Sequence, residues 1–221
     1  MQIRWKGWRK SVKPKVDYSL YLVTDRELMV AADIEECVEQ SIMGGCTVVQ
    51  LREKAASSRE FYETALKVRE VTARLGVPLL INDRADIALA VNADGVHIGQ
   101  DDLPYEAARR IVGQNRIVGV SASNLSEALA AAEMGADYLG VGAMFSTGTK
   151  ADANITSMDE LRQIREKINL PIVVIGGINK KTVPLFSGTG IDGIAVVSAV
   201  VAQKNTADAA RELKSLFCGM G

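Results

Sequence analysis

Apolar and polar positions alternate along this chain in regular blocks. Short runs rich in Val, Ile and Leu are separated by longer segments whose apolar residues recur at helical spacing. Short, continuously apolar runs are typical of parallel strands buried on both faces. The pattern predicts eight strands, at Tyr18–Val23, Thr47–Leu51, Pro78–Ile81, Gly95–Ile98, Ile117–Val120, Tyr138–Val141, Ile172–Ile175 and Gly193–Val197.

The segments between these strands have the spacing and end signals of helices. Asp33 can cap the first helix and Ser123 or Asn124 the fifth, while Gly44-Gly45 and Gly135 can end the helices before them. The predicted helices are Ile34–Met43, Arg59–Leu75, Ala85–Val91, Tyr105–Val112, Leu125–Met134, Met158–Lys167, Lys181–Phe186 and Ala207–Leu216.

Eight strand–helix units in about 200 residues predict an α/β fold, a single-domain (β/α)₈ TIM barrel over residues 18–221. A doubly wound open sheet is the competing architecture. Residues 1–17 form a separate basic leader with a local charge of +5 and two tryptophans, which we expect to be loosely attached.

Composition narrows the function classes. With 48% hydrophobic and 24% charged residues, the chain has enough apolar material for a core, and no apolar run approaches the length of a membrane span. A net charge of −1 argues against a nucleic-acid partner. Three cysteines without C-x-x-C spacing favour a reduced, cytoplasmic location. The sequence does not determine the oligomeric state, and a homo-oligomer is one of the states compatible with it.

Polar residues and glycines follow the predicted strands, where barrels of this class place their active sites. The alternative is that surface loops are simply polar. The segments concerned are Gln50-Leu51-Arg52-Glu53-Lys54, Asn82-Asp83, His97 to Asp102, Ser121, Thr147-Gly148-Thr149-Lys150, Gly176 to Asn179 and Val197-Ser198.

Two of these segments suit phosphate chemistry. Gly176-Gly177 and Val197-Ser198 follow the last two strands, where backbone N–H groups can bind phosphate oxygens, although Gly176-Gly177 alone could be a tight turn. Arg52, Lys54 and Lys150 add cations at the same rim, which could bind a diphosphate.

Asp83 and Asp101 end adjacent strands and could together hold Mg²⁺, which favours one or two carboxylates plus substrate phosphates. Each aspartate, taken alone, also fits a helix cap. The single histidine, His97, excludes a multi-histidine metal site, and it could be either a general base or a structural residue. The G-x-G-x-x-G match at Gly188–Gly193 precedes a strand, so we reject a dinucleotide site there.

Taken in order, these motifs resemble the thiamine-phosphate synthase family, over roughly Tyr18 to Leu216. The resemblance implies an enzyme, a transferase that joins a hydroxymethylpyrimidine diphosphate to a thiazole phosphate and releases diphosphate. It implies a dissociative course, in which diphosphate leaves to give a stabilised pyrimidinyl-methyl cation before the thiazole nitrogen attacks. Such a reaction needs charge neutralisation and alignment of two substrates rather than a strong protein base.

The resemblance also implies roles for individual residues. Mg²⁺ would be the cofactor, held by Asp83 and Asp101, and Arg52, Lys54, Lys150 and Ser121 would be catalytic. The implied pyrimidine diphosphate contacts are Gln50, Leu51, Arg52, Glu53, Lys54, Asn82, Ser121 and Lys150. The implied thiazole phosphate contacts are Thr147, Gly148, Thr149, Gly177, Val197 and Ser198.

Two positions depart from the family pattern. Ser123 stands where the family often has histidine, and Ala143 where it often has proline. The missing histidine weighs against the related thiazole tautomerase, which remains an alternative beside a non-catalytic regulator that binds phosphate ligands.

Overall fold

The computed structural model describes residues 13–146 and 155–220. Its eight strands run parallel, each paired with the next, and the last pairs with the first to close a barrel. The predicted (β/α)₈ barrel is confirmed, and the closed sheet excludes the open doubly wound alternative. The strands are β1 (Leu20–Val23), β2 (Val48–Leu51), β3 (Leu79–Asn82), β4 (Gly95–Ile98), β5 (Ile117–Ala122), β6 (Tyr138–Val141), β7 (Ile172–Val174) and β8 (Gly193–Val196).

Helices surround the barrel. They are α1 (Ile34–Met43), α2 (Ser58–Leu75), α3 (Ala85–Ala90), α4 (Tyr105–Val112), α5 (Leu125–Met134), α6 (Met158–Lys167), α7 (Ser198–Val201) and α8 (Thr206–Cys218), with a 3₁₀ helix at Val183–Phe186 between β7 and β8. Among the described residues, none of these helices combines the length and apolar character needed to cross a membrane.

Side-chain alternation along the strands builds two apolar layers. On β1, Leu20 and Leu22 pack outward against the helices, whereas Tyr21 and Val23 face the barrel interior. On β2, Val49 and Leu51 belong to the outer layer and Val48 to the inner one. Because successive strand residues point to opposite faces, every second residue at a strand end reaches the interior. This alternation decides which rim residues can line a site.

Local capping accounts for several helix boundaries. The Asp33 side chain accepts the Glu36 N–H at the start of α1, as predicted. At the start of α5, Asn124 rather than Ser123 is the cap, accepting the N–H of Glu127 at 3.0 Å. Such caps satisfy N–H groups that lack partners in the first helical turn.

The structure differs from the predicted elements after β7. The helix predicted at Lys181–Phe186 is only a short 3₁₀ helix containing Pro184, and α7, directly after β8, was not predicted. A four-residue helix is too short to show a periodic pattern. Residues 1–12 of the leader lie outside the described residues, so its boundary at residue 17 stays a prediction.

Candidate active site

A cavity of about 620 Å³ opens at the carboxyl ends of the strands. Its volume lies within the usual range for small-molecule sites. Every strand, or the loop that follows it, contributes residues to this cavity. The residues predicted to bind the pyrimidine diphosphate and those predicted to bind the thiazole phosphate therefore include members that face the same space. Its lining includes Tyr21, Asp25, Gln50, Arg52, Asn82, His97, Ser121, Tyr138, Gly140, Ala143, Gly176, Gly177, Asn179, Val197, Ser198 and Gln203.

The segment after β2 is divided by strand alternation. Gln50 and Arg52 line the cavity, whereas Leu51 is fully buried in the outer apolar layer. Glu53 points away, and its carboxylate pairs with the Arg26 guanidinium at 2.7 Å. Neither side chain lines this cavity, and the predicted substrate contacts of Leu51 and Glu53 stay predictions.

Arg52 is held in place by a neighbouring acid. Its Nη1 donates to Asp25 Oδ2 at 3.0 Å, and both side chains are largely buried. Its backbone N–H donates to the Thr24 hydroxyl at 3.0 Å. Asp25 thus orients the guanidinium, which keeps further N–H donors for an anion in the cavity.

Lys54 and Asp83 form an ion pair at the same rim. Asp83 follows β3 in the left-handed backbone region, with a φ of 63°, and its N–H donates to the His97 carbonyl at 2.8 Å. Few non-glycine residues adopt this conformation, although aspartate and asparagine do so more often than most. The helix-cap alternative is wrong for Asp83, because the residue at the cap of α3 is Arg84 and no side chain caps that helix.

The carboxyl group beside Asp83 is that of Asp102. The pKa of Asp102 is raised above its usual value, first by burial and then by hydrogen bonding and repulsion from Asp83, while Lys54 acts in the opposite direction. Asp102 Oδ2 also accepts the Gly99 N–H at 2.7 Å, which fixes the loop after β4.

Asp101 has a different environment. It is exposed, and it caps no helix, because Pro104 holds the cap position of α4 without a side-chain hydrogen bond. The structure thus assigns to Asp102 the place beside Asp83 that the sequence analysis gave to Asp101. Two adjacent aspartates in a loop cannot be distinguished by sequence spacing, since only the turn decides which one faces β3.

A chain of hydrogen bonds crosses the floor of the cavity. Gln50 Nε2 donates to the Tyr21 hydroxyl at 2.7 Å, and the Tyr21 and Tyr138 hydroxyls lie 2.8 Å apart. His97 Nδ1 lies 2.8 Å from the Tyr138 hydroxyl, and His97 Nε2 lies 2.9 Å from Ser121 Oγ. These hydrogen bonds therefore join two predicted substrate-binding residues, Gln50 and Ser121, through Tyr21 and Tyr138, which were not predicted as site residues, and through His97, whose role the sequence left open.

The opposite side of the cavity is formed by backbone. Gly176 and Gly177 have positive φ angles of 96° and 66°, and a Cβ at Gly177 would lie 2.6 Å from Phe145 Cβ. Glycine is therefore required on steric grounds at position 177. Val197 and Ser198 line the cavity beside it, at the start of α7. Within residues 13–146 and 155–220, the N–H groups of Gly177 and Ser198 donate to no protein acceptor.

Four predicted site residues, Thr147, Gly148, Thr149 and Lys150, lie outside the described residues, and their roles stay predictions. Ser146 precedes them and lines the cavity.

Sequence reasoning missed Asp25, Tyr21 and Tyr138 as site residues. Their signals were present but weak: an aspartate two residues after a strand, and tyrosines inside apolar strands, whose hydroxyls need buried partners. Asp102 had the same signal as Asp101, which was chosen instead.

Comparison with known proteins identifies the family. Residues 20–200 match the sequence model of a protein family described as thiamine monophosphate synthase. The chain belongs to the thiamine monophosphate synthase family. A thiamine-phosphate synthase from Clostridium botulinum is 60% identical over 206 residues, covering 93% of this chain and 97% of the relative. One from Clostridium beijerinckii is 59% identical over 206 residues, covering 93% and 99%.

A solved structure agrees with this family. The thiamine phosphate pyrophosphorylase from Pyrococcus furiosus has 41% sequence identity and a TM-score of 0.86, covering 92% of this chain and 97% of the other. The family resemblance inferred from the rim motifs is therefore confirmed. The tautomerase and the non-catalytic regulator are not favoured, because the similar curated relatives carry the synthase name.

Proposed function

We propose that this protein is a thiamine-phosphate synthase that joins 4-amino-5-hydroxymethyl-2-methylpyrimidine diphosphate to a thiazole phosphate. The bond between the pyrimidine methylene carbon and the diphosphate oxygen breaks, and its electron pair leaves with diphosphate. The thiazole ring nitrogen then supplies the pair for the new carbon–nitrogen bond. The products are thiamine phosphate and diphosphate, which makes the protein a transferase.

One observation carries this proposal beyond family membership. The same cavity is lined by Gln50, Arg52, Asn82 and Ser121 on one side and by Gly177, Val197 and Ser198 on the other. Two substrates bound on these two sides would meet over the floor of the barrel. Alignment of two reactants in one site can lower a barrier by about 7–11 kcal/mol.

Arg52 and Lys54 would stabilise the leaving diphosphate, together with Lys150. Arg52, oriented by Asp25, offers its remaining N–H donors to diphosphate oxygens. Lys54 lies at the rim, paired with Asp83, and its ammonium would donate to a diphosphate oxygen when that anion is bound. These groups act on the charge that develops as the carbon–oxygen bond breaks, where electrostatic stabilisation is most effective.

The carboxylate pair fits a magnesium ion. Asp83 and Asp102 are close enough to raise the pKa of Asp102, and a divalent cation between them would relieve that repulsion. Mg²⁺ usually binds one or two protein carboxylates plus substrate oxygens, the ligands that Asp83, Asp102 and a bound diphosphate would supply. When bound there, Mg²⁺ would neutralise charge on the diphosphate and orient it.

The phosphate of the thiazole substrate would bind at Gly177 and Ser198. Their N–H groups donate to no acceptor in the described parts of the chain, so they can donate to phosphate oxygens. The site has no side-chain cation among its described lining residues on this side. Backbone recognition of this kind needs a close approach, which the glycine permits.

The test is direct. Purified protein mixed with both substrates and Mg²⁺ should form thiamine phosphate and diphosphate in equal amounts, and chelation of the metal should abolish turnover. Conversion of thiazole phosphate without the pyrimidine substrate would instead indicate a tautomerase. Binding of thiazole phosphate without any product, from folded protein, would indicate a regulator. We place the reaction in the cytoplasm, consistent with the three free cysteines.

A further inference from the structure

His97, the sole histidine of the protein, takes part in a series of hydrogen bonds whose donors all point the same way. It lines the cavity, and its Nδ1 is hydrogen-bonded to Tyr138 while its Nε2 is hydrogen-bonded to Ser121. Which nitrogen carries the proton decides whether Ser121 donates to His97 or accepts from it. The groups further along the chain settle that question.

The direction is set at the Gln50 end. The amide nitrogen Nε2 can only donate, so the Tyr21 oxygen accepts this hydrogen bond. The Tyr21 proton is then directed to the Tyr138 oxygen, at 2.8 Å. The Tyr138 proton is in turn directed to His97 Nδ1, which must therefore be unprotonated.

We infer that His97 is a positioning residue, a neutral imidazole with its proton on Nε2, which donates to Ser121 Oγ and leaves the Ser121 proton to donate to a substrate oxygen or nitrogen in the cavity. Within the described part of the chain, this imidazole is the only hydrogen-bond partner of Ser121 Oγ, so the Ser121 proton has no protein acceptor there. The imidazole cannot take the Ser121 proton, so the histidine is not a base for that hydroxyl.

Packing supports a built and rigid chain. A Cβ at Gly119 would lie 2.1 Å from the Tyr138 ring, and one at Gly140 would lie 2.9 Å from His97 Cε1. Strands β5 and β6 thus each carry a glycine where the rings of Tyr138 and His97 would clash with a larger side chain. Tyr21 and Tyr138 are buried, which raises the pKa of both phenols and keeps their hydroxyls protonated.

The role given to Ser121 rests on the proposed function, whereas the protonation of His97 does not. The first experiment therefore uses the free protein. Protein without a histidine tag, labelled with ¹⁵N-histidine, contains one imidazole, and its two nitrogens can be assigned from long-range proton–nitrogen spectra near neutral pH. We expect a protonated Nε2 and an unprotonated Nδ1.

Tyr138→Phe should remove the donor to Nδ1 and shift the imidazole to a mixture of tautomers. Tyr18→Phe is the matched control, because the Tyr18 ring packs 4.8 Å from the Tyr138 ring but belongs to no link of the chain. A proton on Nδ1 in the wild-type protein, or an unchanged spectrum in Tyr138→Phe, would overturn the inference. If Tyr138→Phe does not fold, the wild-type assignment decides alone.

Kinetics then test the link to Ser121. Tyr138→Phe should lower kcat/KM by about two- to tenfold, the effect of one net hydrogen bond, and should have little further effect in a Ser121→Ala background. An equal loss in both backgrounds would refute the positioning role. Absence of synthase activity in wild-type protein that shows the expected tautomer would instead refute the proposed function alone.

Discussion

Two adjacent aspartates with different surroundings give the sharpest test of the proposed magnesium site. Asp102→Asn and Asp101→Asn remove the same charge one residue apart. Asp102 lies beside Asp83 and accepts the Gly99 N–H, whereas Asp101 is exposed. Asparagine keeps an oxygen that can accept the Gly99 hydrogen bond, so the loop should retain its shape in Asp102→Asn.

The size of the effect follows from the local electrostatics. Unit charges about 4 Å apart attract by about 4 kcal/mol at an effective dielectric constant near 20. The retained amide oxygen and entering water would recover part of that energy, which leaves a loss of about 2–3 kcal/mol, or about 30- to 150-fold weaker Mg²⁺ binding. An exposed charge such as Asp101 is screened, and its removal should change Mg²⁺ binding by less than about threefold.

The assay is a magnesium titration of thiamine phosphate formation at saturating substrates, with circular dichroism to confirm folding. The half-saturating Mg²⁺ concentration should rise strongly in Asp102→Asn and stay near the wild-type value in Asp101→Asn. Equal losses in the two variants, or a normal magnesium requirement in Asp102→Asn, would refute the assignment of Asp102.

Three further predictions concern the rim cation Arg52, the glycine proposed to bind phosphate, Gly177, and the titration of Asp102. Arg52→Lys should lower kcat/KM by about 10- to 150-fold through lost charge-assisted hydrogen bonds, while Glu53→Gln stays within about twofold in the same assay. Gly188→Ala should lose about 1 kcal/mol of stability because of its positive φ, and Gly177→Ala should lose more because its Cβ would also clash with Phe145 Cβ. Only Gly177→Ala should raise the KM for thiazole phosphate, because a Cβ at Gly188 meets open space. Without metal, the raised pKa of Asp102 means that the folded state binds this proton more tightly than the unfolded state does. Deprotonation of Asp102 therefore lowers the free energy of unfolding as pH rises above about 3.9. Thermal melts of Asp102→Asn should lack this pH-dependent loss of stability.

Each of these predictions has a contrary result. A loss in Glu53→Gln as large as that in Arg52→Lys would mean that the outward-facing acid contacts substrate. Similar KM values for Gly177→Ala and Gly188→Ala would remove the steric argument for phosphate binding at Gly177. Identical pH profiles of melting for the wild-type protein and Asp102→Asn would show that the carboxyl pair is not coupled.

The barrel could be predicted because its signals are local. Apolar runs such as Ile117–Val120 and helix ends such as Asp33 depend on residues near in sequence, and the structure confirms both at those places. The 3₁₀ helix at Val183–Phe186 and the short helix after β8 were not predicted, because segments of four residues are too short for a periodic signal.

The site was predicted in outline but not residue by residue. Strand-end position identified Gln50, Arg52 and Ser121, which all line the cavity. It also included Leu51 and Glu53, whose side chains alternation directs away from the cavity. Because successive strand residues point to opposite faces, a motif taken as a whole range includes side chains of both faces.

The order of the strands and of most helices, the end of the barrel at which the cavity opens, and the family all follow from the amino-acid sequence. Folding of the barrel places Asp102, and not Asp101, beside Asp83, and it joins Gln50 to Ser121 through Tyr21, Tyr138 and His97. These two kinds of feature differ in the sequence distance over which their residues interact. Secondary structure follows from neighbouring residues, whereas a carboxylate pair or a hydrogen-bond chain forms between side chains that the closed barrel brings together from distant strands.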